Sequence, residues 1–394
     1  MTPRSSAALR LAARMADIAP FHVMELLARA QALAAAGRSI IHMEVGEPDF
    51  SSAEPIIAAA CRALAAGHTG YTPATGLPEL RAAIAGDYRE RYGVEIDPAR
   101  IVVTPGASGA LLLATGVLVD PGDEILLADP SYPCNRHFVR FCEGRAVGVP
   151  VGADSDYQLT PERVEAHWGP RTVAAMLASP SNPTGTLVSR PALEGVLDVA
   201  RRHGGRLIVD EIYHGLVYDE QPATALASGD DVFVINSFSK YFGMTGWRLG
   251  WLVAPQECVR EAEKLAQNLF LAASTPAQHA ALAAFTPPAR AIFEARREAF
   301  RQRRDFLLPA LREIGFGVPV TPRGAFYIYA DASRFTDDSY AFCFRLLEET
   351  GVAITPGIDF GSHEAARYVR FAYTTSLENL QEAVERLRRF LGRP

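Results

Sequence analysis

The sequence predicts an α/β protein with a mostly parallel sheet flanked by helices, joined to a smaller α+β unit. Three observations predict it. From about residue 55 to 285, segments of helical spacing alternate with short apolar runs, as in a sheet covered by helices. Runs such as Val232-Phe233-Val234-Ile235 are apolar at every position, which a strand buried on both faces requires. Polar and small residues directly follow these runs, at the strand ends where open α/β sheets hold their ligands.

At 394 residues the chain has room for about two or three domains and a large core. Its 48% apolar and 21% charged content is that of a soluble globular protein. A net charge of −6, from 39 basic and 45 acidic residues, gives no basic footprint for nucleic acid or anionic membrane. The five cysteines are odd in number, scattered and without CxxC spacing, so neither a disulfide framework nor a zinc site is expected, and a reducing cytoplasm is. Met1 to Ala19 lacks the apolar centre and cleavage pattern of a secretory leader, and no apolar run reaches membrane-spanning length.

Residues 22–36 have helical spacing that stops at Gly37, and Ile40 to Val45 reads as a short strand leading into Gly46-Glu47-Pro48-Asp49. Further strands are expected at 101–103, 125–127, 146–149, 173–177, 206–209, 232–235 and 249–253. Pro287-Pro288 interrupts the alternation, and a charged helix follows from Arg290 to Leu311. Its arginines at 290, 296, 297, 301, 303 and 304 read as a solvated face. The C-terminal part has a different pattern, with strand-like 326–329, helical 340–349, strand-like 368–372 and a last helix near 377–390. The expected division is an N-terminal segment, 1–54, that joins the small domain; a large cofactor domain, 55–285; and a C-terminal small domain, 286–394.

Within that frame the residues at strand ends carry the chemistry. Lys240, in Ser237-Phe238-Ser239-Lys240, follows the apolar run ending at Ile235, and Arg248 lies eight residues on in Gly246-Trp247-Arg248-Leu249-Gly250. Two hydroxyls and a guanidinium beside an amine can hold a phosphorylated aldehyde as a Schiff base, and pyridoxal phosphate is the expected cofactor. Thr104-Pro105-Gly106-Ala107-Ser108-Gly109 joins a strand to an apolar helix, whose free N–H groups suit the phosphate. Without a Gly-Lys-Ser/Thr ending it is not a nucleotide-binding Walker loop. Asp210 ends the run Leu207-Ile208-Val209, where a carboxylate can pair with a protonated pyridine nitrogen; Tyr213 and Asn182 can reach the ring's phenolic oxygen. Tyr132, beyond another strand, can stack on an aromatic ring. Arg370 interrupts the apolar strand 368–372, needs an anion there, and has the planar fork that grips an α-carboxylate. Phe21, His22 and Phe360 are weaker candidates for a substrate pocket.

Taken in order, Ser-Asn-Pro-Thr-Gly at 181–185, Asp-Glu-Ile-Tyr at 210–213, Ser-Phe-Ser-Lys at 237–240 and Gly-Trp-Arg-Leu-Gly at 246–250 resemble the fold-type I pyridoxal-phosphate aminotransferases of class I/II. The resemblance runs from Gly46-Glu47-Pro48-Asp49 to Arg370. It implies ping-pong transfer of an amino group from an L-amino acid to a 2-oxo acid, with 2-oxoglutarate as the expected acceptor and neutral, aromatic or aspartate donors. It implies that Lys240 bears the cofactor and shuttles the proton, with Asp210 at the ring nitrogen and Asn182 and Tyr213 at the phenolic oxygen. Tyr132 stacks on the ring; Ala107, Ser108, Ser237, Ser239 and Arg248 hold the phosphate; Gly46 and Arg370 receive the substrate carboxylate. It further implies a homodimer in which Tyr71 reaches the neighbouring active site, and a cis Asn182–Pro183 bond. The same site could run β-elimination, as in C–S lyases of this fold. A ligand-sensing regulator of similar fold would need a DNA-binding module, and only about 50 residues precede the large domain.

Overall fold

The computed structural model describes residues 10–392. The first nine residues of the expected N-terminal segment, and of the stretch read for a leader, lie outside the described residues, as do the last two of the C-terminal segment. Among the described residues, twelve strands form three sheets: β1 (Ile41–His42), β2 (Ile101–Thr104), β3 (Glu124–Asp129), β4 (Arg145–Pro150), β5 (Thr172–Ala178), β6 (Arg206–Asp210), β7 (Val232–Ser237), β8 (Gly250–Val253), β9 (Tyr327–Asp331), β10 (Val352–Ala353), β11 (Thr355–Pro356) and β12 (Tyr368–Ala372).

The large sheet has the order β2-β8-β7-β6-β5-β3-β4. Strands β4, β3, β5, β6 and β7 are parallel, and β8 is antiparallel to both its neighbours, β7 and β2. Burial on both faces explains the continuous apolar runs inside β6 and β7: Leu207, Ile208 and Val209, and Val232 to Ile235, are all buried. Two clusters cover the sheet's two sides; Val209 and Val234 point into one, Ile208 and Ile235 into the other. Pairing of Ala178 with Asp210, and of Asp210 with Ile235, aligns the carboxyl ends of β5, β6 and β7 along one rim. Side chains that are far apart in sequence are thereby delivered to a single edge.

The two small sheets involve the chain's C-terminal third. β1 pairs in parallel with β10, and β11, β12 and β9 form an antiparallel sheet in which Arg370 lies opposite Thr355 on one side and Tyr329 on the other. The predicted strand at 40–45 shortens to Ile41–His42. Beyond it, the Glu44 carbonyl accepts from Arg370 and Thr355, and the Gly46 carbonyl accepts from Lys240.

The helix after residue 286 differs most from expectation. It runs from Pro287 to Ile314, with both prolines in its first turn, where the missing N–H costs nothing. Its arginines are not one solvated face. Arg303 makes a two-pronged bond to the Asp49 carboxylate at 2.8 Å on each side, and Arg304 binds Asp219 at 2.8 Å and the Pro322 carbonyl at 3.1 Å; both arginines are buried. Arg290 meets Asp87 at 3.0 Å, while Arg301 stays on the solvent side and pairs with Glu298. Acidic partners distant in sequence turn what looks like a charged surface into a joint between segments.

Candidate active site

The carboxyl rim of the large sheet opens into a cleft of about 440 Å³. Gly46, Ala107, Ser108, Tyr132, Asn182, Asp210, Tyr213, Ser239, Lys240, Arg248 and Arg370 all line it. Two expected residues do not. Ser237 turns its hydroxyl to the Leu249 carbonyl at 3.0 Å and accepts from the Ser239 N–H, so it braces the turn. Tyr71 lies 86% exposed on a loop and does not line the cleft.

The phosphate end is built by close backbone approach. Thr104 ends β2, Gly106 adopts a left-handed φ of 71°, and the helix Gly106–Leu118 begins without a side-chain cap, leaving the N–H groups of its first turn free. Arg248, itself at a φ of 52°, lies over Gly106. Gly250 passes so close behind that a Cβ there would sit 2.7 Å from the Gly106 carbonyl carbon and 2.8 Å from the Ala107 nitrogen. Both are backbone atoms and cannot swing away. Gly250→Ala is therefore expected to lower stability by roughly 1–3 kcal/mol and to weaken cofactor retention. Thermal melting and cofactor titration check this, and an unchanged melting temperature would contradict the close approach.

At the centre, Asp210 is 6% exposed and, among the described residues, its carboxylate accepts only from the Ile212 N–H, at 3.0 Å. Burial raises its pKa to about 6, against smaller opposing effects from that bond and from Lys240. The Lys240 amine donates to the Gly46 carbonyl at 2.6 Å, and burial lowers its pKa to about 8, with Arg370 and Arg248 adding to the effect and Glu47 and Asp210 opposing it. The Tyr213 and Tyr327 hydroxyls lie 2.9 Å apart. Asn182, whose bond to Pro183 is cis, accepts from Arg370 at 2.9 Å through its side-chain oxygen and keeps its amide N–H groups for the cleft.

Arg370 is held between the Tyr327 ring, 4.3 Å below its guanidinium carbon, and the Phe360 ring at 4.8 Å. Among the described residues its Nε is buried without a partner. Tyr327, Thr355 and Asp359 also line the cleft and were not legible as site residues. Tyr327 belongs to the aromatic run 326–329, and only the pairing of β9 with β12, Ala372 against Tyr327, sets it diagonal to Arg370. Of the weaker candidates, Phe21 and Phe360 line the cleft, whereas His22 contributes its backbone N–H to Asp359 at 2.9 Å.

These features fit pyridoxal phosphate. A buried carboxylate with no salt-bridge partner among the described residues suits a ring N–H, an amine of lowered pKa faces the cleft, and an uncapped helix start with an arginine above it suits a phosphate. Fold and site together define a pyridoxal-phosphate-dependent enzyme of fold type I. The family described as aminotransferase class I and II matches residues 38–387. Similar proteins include the valine–pyruvate aminotransferase of Mycobacterium tuberculosis, 39% identical over 94% of this chain and 96% of that protein. The aspartate/prephenate aminotransferase of Thermus thermophilus is 37% identical over 97% and 99%. A crystal structure of an aminotransferase from Mycobacterium tuberculosis superposes with a TM-score of 0.94 at 38% identity, covering 98% of this chain and all of that one. The chain belongs to the class I and II aminotransferases and is a pyridoxal-phosphate-dependent transaminase. Among the described residues, no helix is long and apolar enough to cross a membrane.

Proposed function

We propose that the convergence of Lys240, Asp210 and Arg370 on one cleft carries amino-group transfer with a definite division of labour. Pyridoxal phosphate, when bound, supplies the electron sink for the charge left on the substrate Cα as its proton departs. Asp210 pairs with the ring nitrogen; Asn182 and Tyr213 donate to the phenolic oxygen; Tyr132 stacks on the ring. The N–H groups of Ala107 and Ser108, with Ser239 and Arg248, hold the phosphate, and Ser237 supports them by bracing Ser239. Arg370 and the Gly46 backbone take the substrate carboxylate, which orients the Cα–H bond toward Lys240. As a neutral amine, Lys240 collects that proton and returns it on the other side of the reaction.

The exposed Tyr71 fits a homodimer in which it reaches into the neighbouring cleft. Pairing of β1 with β10 supports the division of the chain into an N-terminal segment through residue 54 that joins the C-terminal domain from residue 286, with the cofactor domain at 55–285 between them. The free-cysteine composition fits a cytoplasmic enzyme. The relatives' names divide between a neutral donor, valine, and acidic ones.

A half-reaction screen tests the reading. The loaded enzyme, mixed with single amino acids and no acceptor, should lose its visible cofactor absorbance and release one equivalent of 2-oxo acid. Release of pyruvate and ammonia over many turnovers from a β-substituted amino acid, without an acceptor, would favour elimination instead.

A further inference from the structure

Asp129 ends β3 on the same carboxyl rim as Asp210, is buried, and does not line the cleft. Its carboxylate is instead committed to a segment of the small domain. The Ser362 N–H lies 3.1 Å from one of its oxygens and 3.0 Å from the other. The Ser362 hydroxyl donates to it at 2.9 Å and the His363 N–H at 3.2 Å. Gly361 passes so close that a Cβ there would sit 1.6 Å from Asp129 Oδ1. Two further bonds run between the same stretches of chain. The Ser131 N–H donates to the Phe360 carbonyl at 2.9 Å, and Arg136 donates to the Asp359 carbonyl at 2.6 Å.

What the gripped segment carries is the second ring beside the clamp. Tyr327 is fixed against Arg370 by strand register, because β9 is hydrogen-bonded to β12. Phe360 belongs to no strand. It follows the short turn Gly357–Asp359, and its own N–H donates to the Gly357 carbonyl at 2.9 Å. The rest of its placement comes from residues 129–136. A planar guanidinium meets a carboxylate with two parallel bonds only when its plane is held, and a flanking ring helps hold it. Tyr132 lies in that same gripping stretch, so one piece of chain sets a ring at the cofactor end and a ring at the substrate end.

We propose that Asp129 is a positioning residue for the substrate carboxylate: it fixes the segment 361–363, and through it Phe360, so that Arg370 presents its fork in one orientation. The inference rests on Arg370 as the carboxylate clamp and deepens that reading.

The test uses the loaded enzyme in single-turnover half-reactions with valine and with aspartate. Saturation curves separate donor affinity from maximal rate. Asp129→Ala should weaken donor affinity about tenfold, the size of one hydrogen bond to a charged group, with the maximal rate within about twofold of wild type. Asp129→Asn keeps one acceptor oxygen and should lose only about threefold; it carries the test where the alanine variant does not fold. Cofactor affinity should be unchanged in both. Phe360→Ala should weaken donor affinity to a similar extent, and in the double variant the two losses should not multiply, because both act on one contact. Losses that multiply, or parallel falls in rate, donor affinity and cofactor affinity, overturn the proposal in favour of a general structural anchor. Wild-type donor affinity in both Asp129 variants overturns it outright. Arg370→Ala tells this failure from that of the clamp. If that variant keeps wild-type donor affinity, the clamp is lost and the proposal with it; if it loses affinity while the Asp129 variants do not, only the positioning role falls.

Discussion

Replacing Lys240 with alanine is expected to lower transamination at least about ten-thousand-fold while leaving the protein able to hold its cofactor. On the proposed assignment the loss is large because one amine has two tasks, fixing the cofactor aldehyde and moving the Cα proton, and general acid–base catalysis alone contributes roughly 10²–10⁴ in rate. Retention follows because Asp210, Arg248 and the helix start at Gly106 remain in place. The amine is prepared for both tasks by burial, which brings its pKa from 10.5 to about 8. As pH rises toward that value the neutral, reactive form grows, so reloading of cofactor-free enzyme should accelerate between neutrality and mildly alkaline pH. Borohydride reduction and peptide mapping should label Lys240 in the wild type and no lysine in the variant. A label on another lysine, or a variant that turns over normally, would refute the assignment.

Arg370→Ala should reduce kcat/KM for amino acids by about 30- to 4,000-fold, corresponding to the roughly 2–5 kcal/mol of a truncated buried charge pair. The effect should fall mainly on substrate affinity. Arg370 also donates to Asn182, to Thr355 and to the Glu44 carbonyl, so part of the loss comes from groups left without their partner. Cofactor titration and melting measured beside the kinetics separate these contributions. Near-normal cofactor affinity with a raised KM is the expected pattern; unchanged turnover would show that the substrate carboxylate binds elsewhere.

The large sheet is readable because most of its strands carry continuous apolar runs, such as 207–209 and 232–235, and the cofactor residues because they sit at fixed offsets from strand ends. Lys240 and Arg248 share one turn, and Asp210 and Tyr213 another, so local spacing carries their relation. Sequence and structure part where side chains find partners outside their own motif. Arg303 reads as solvated because Asp49 lies 254 residues away, and Ser237 reads as a phosphate donor although its hydroxyl is taken by the Leu249 carbonyl. Tyr327 becomes visible only through strand register, and Asp359 only through the helix start it caps, 337 residues earlier at His22.

Local chemistry is therefore written in the chain. Apolar periodicity dictates where strands and helices form, and the residues at their ends dictate that a lysine, an aspartate and a phosphate cradle occur at strand ends. The substrate side of the cleft is decided by folding. There the surface is assembled from residues near 21, 182, 327, 359 and 370, and a side chain's charge acquires meaning only from the neighbours that desolvate or neutralise it. Sequence neighbours do not record that company.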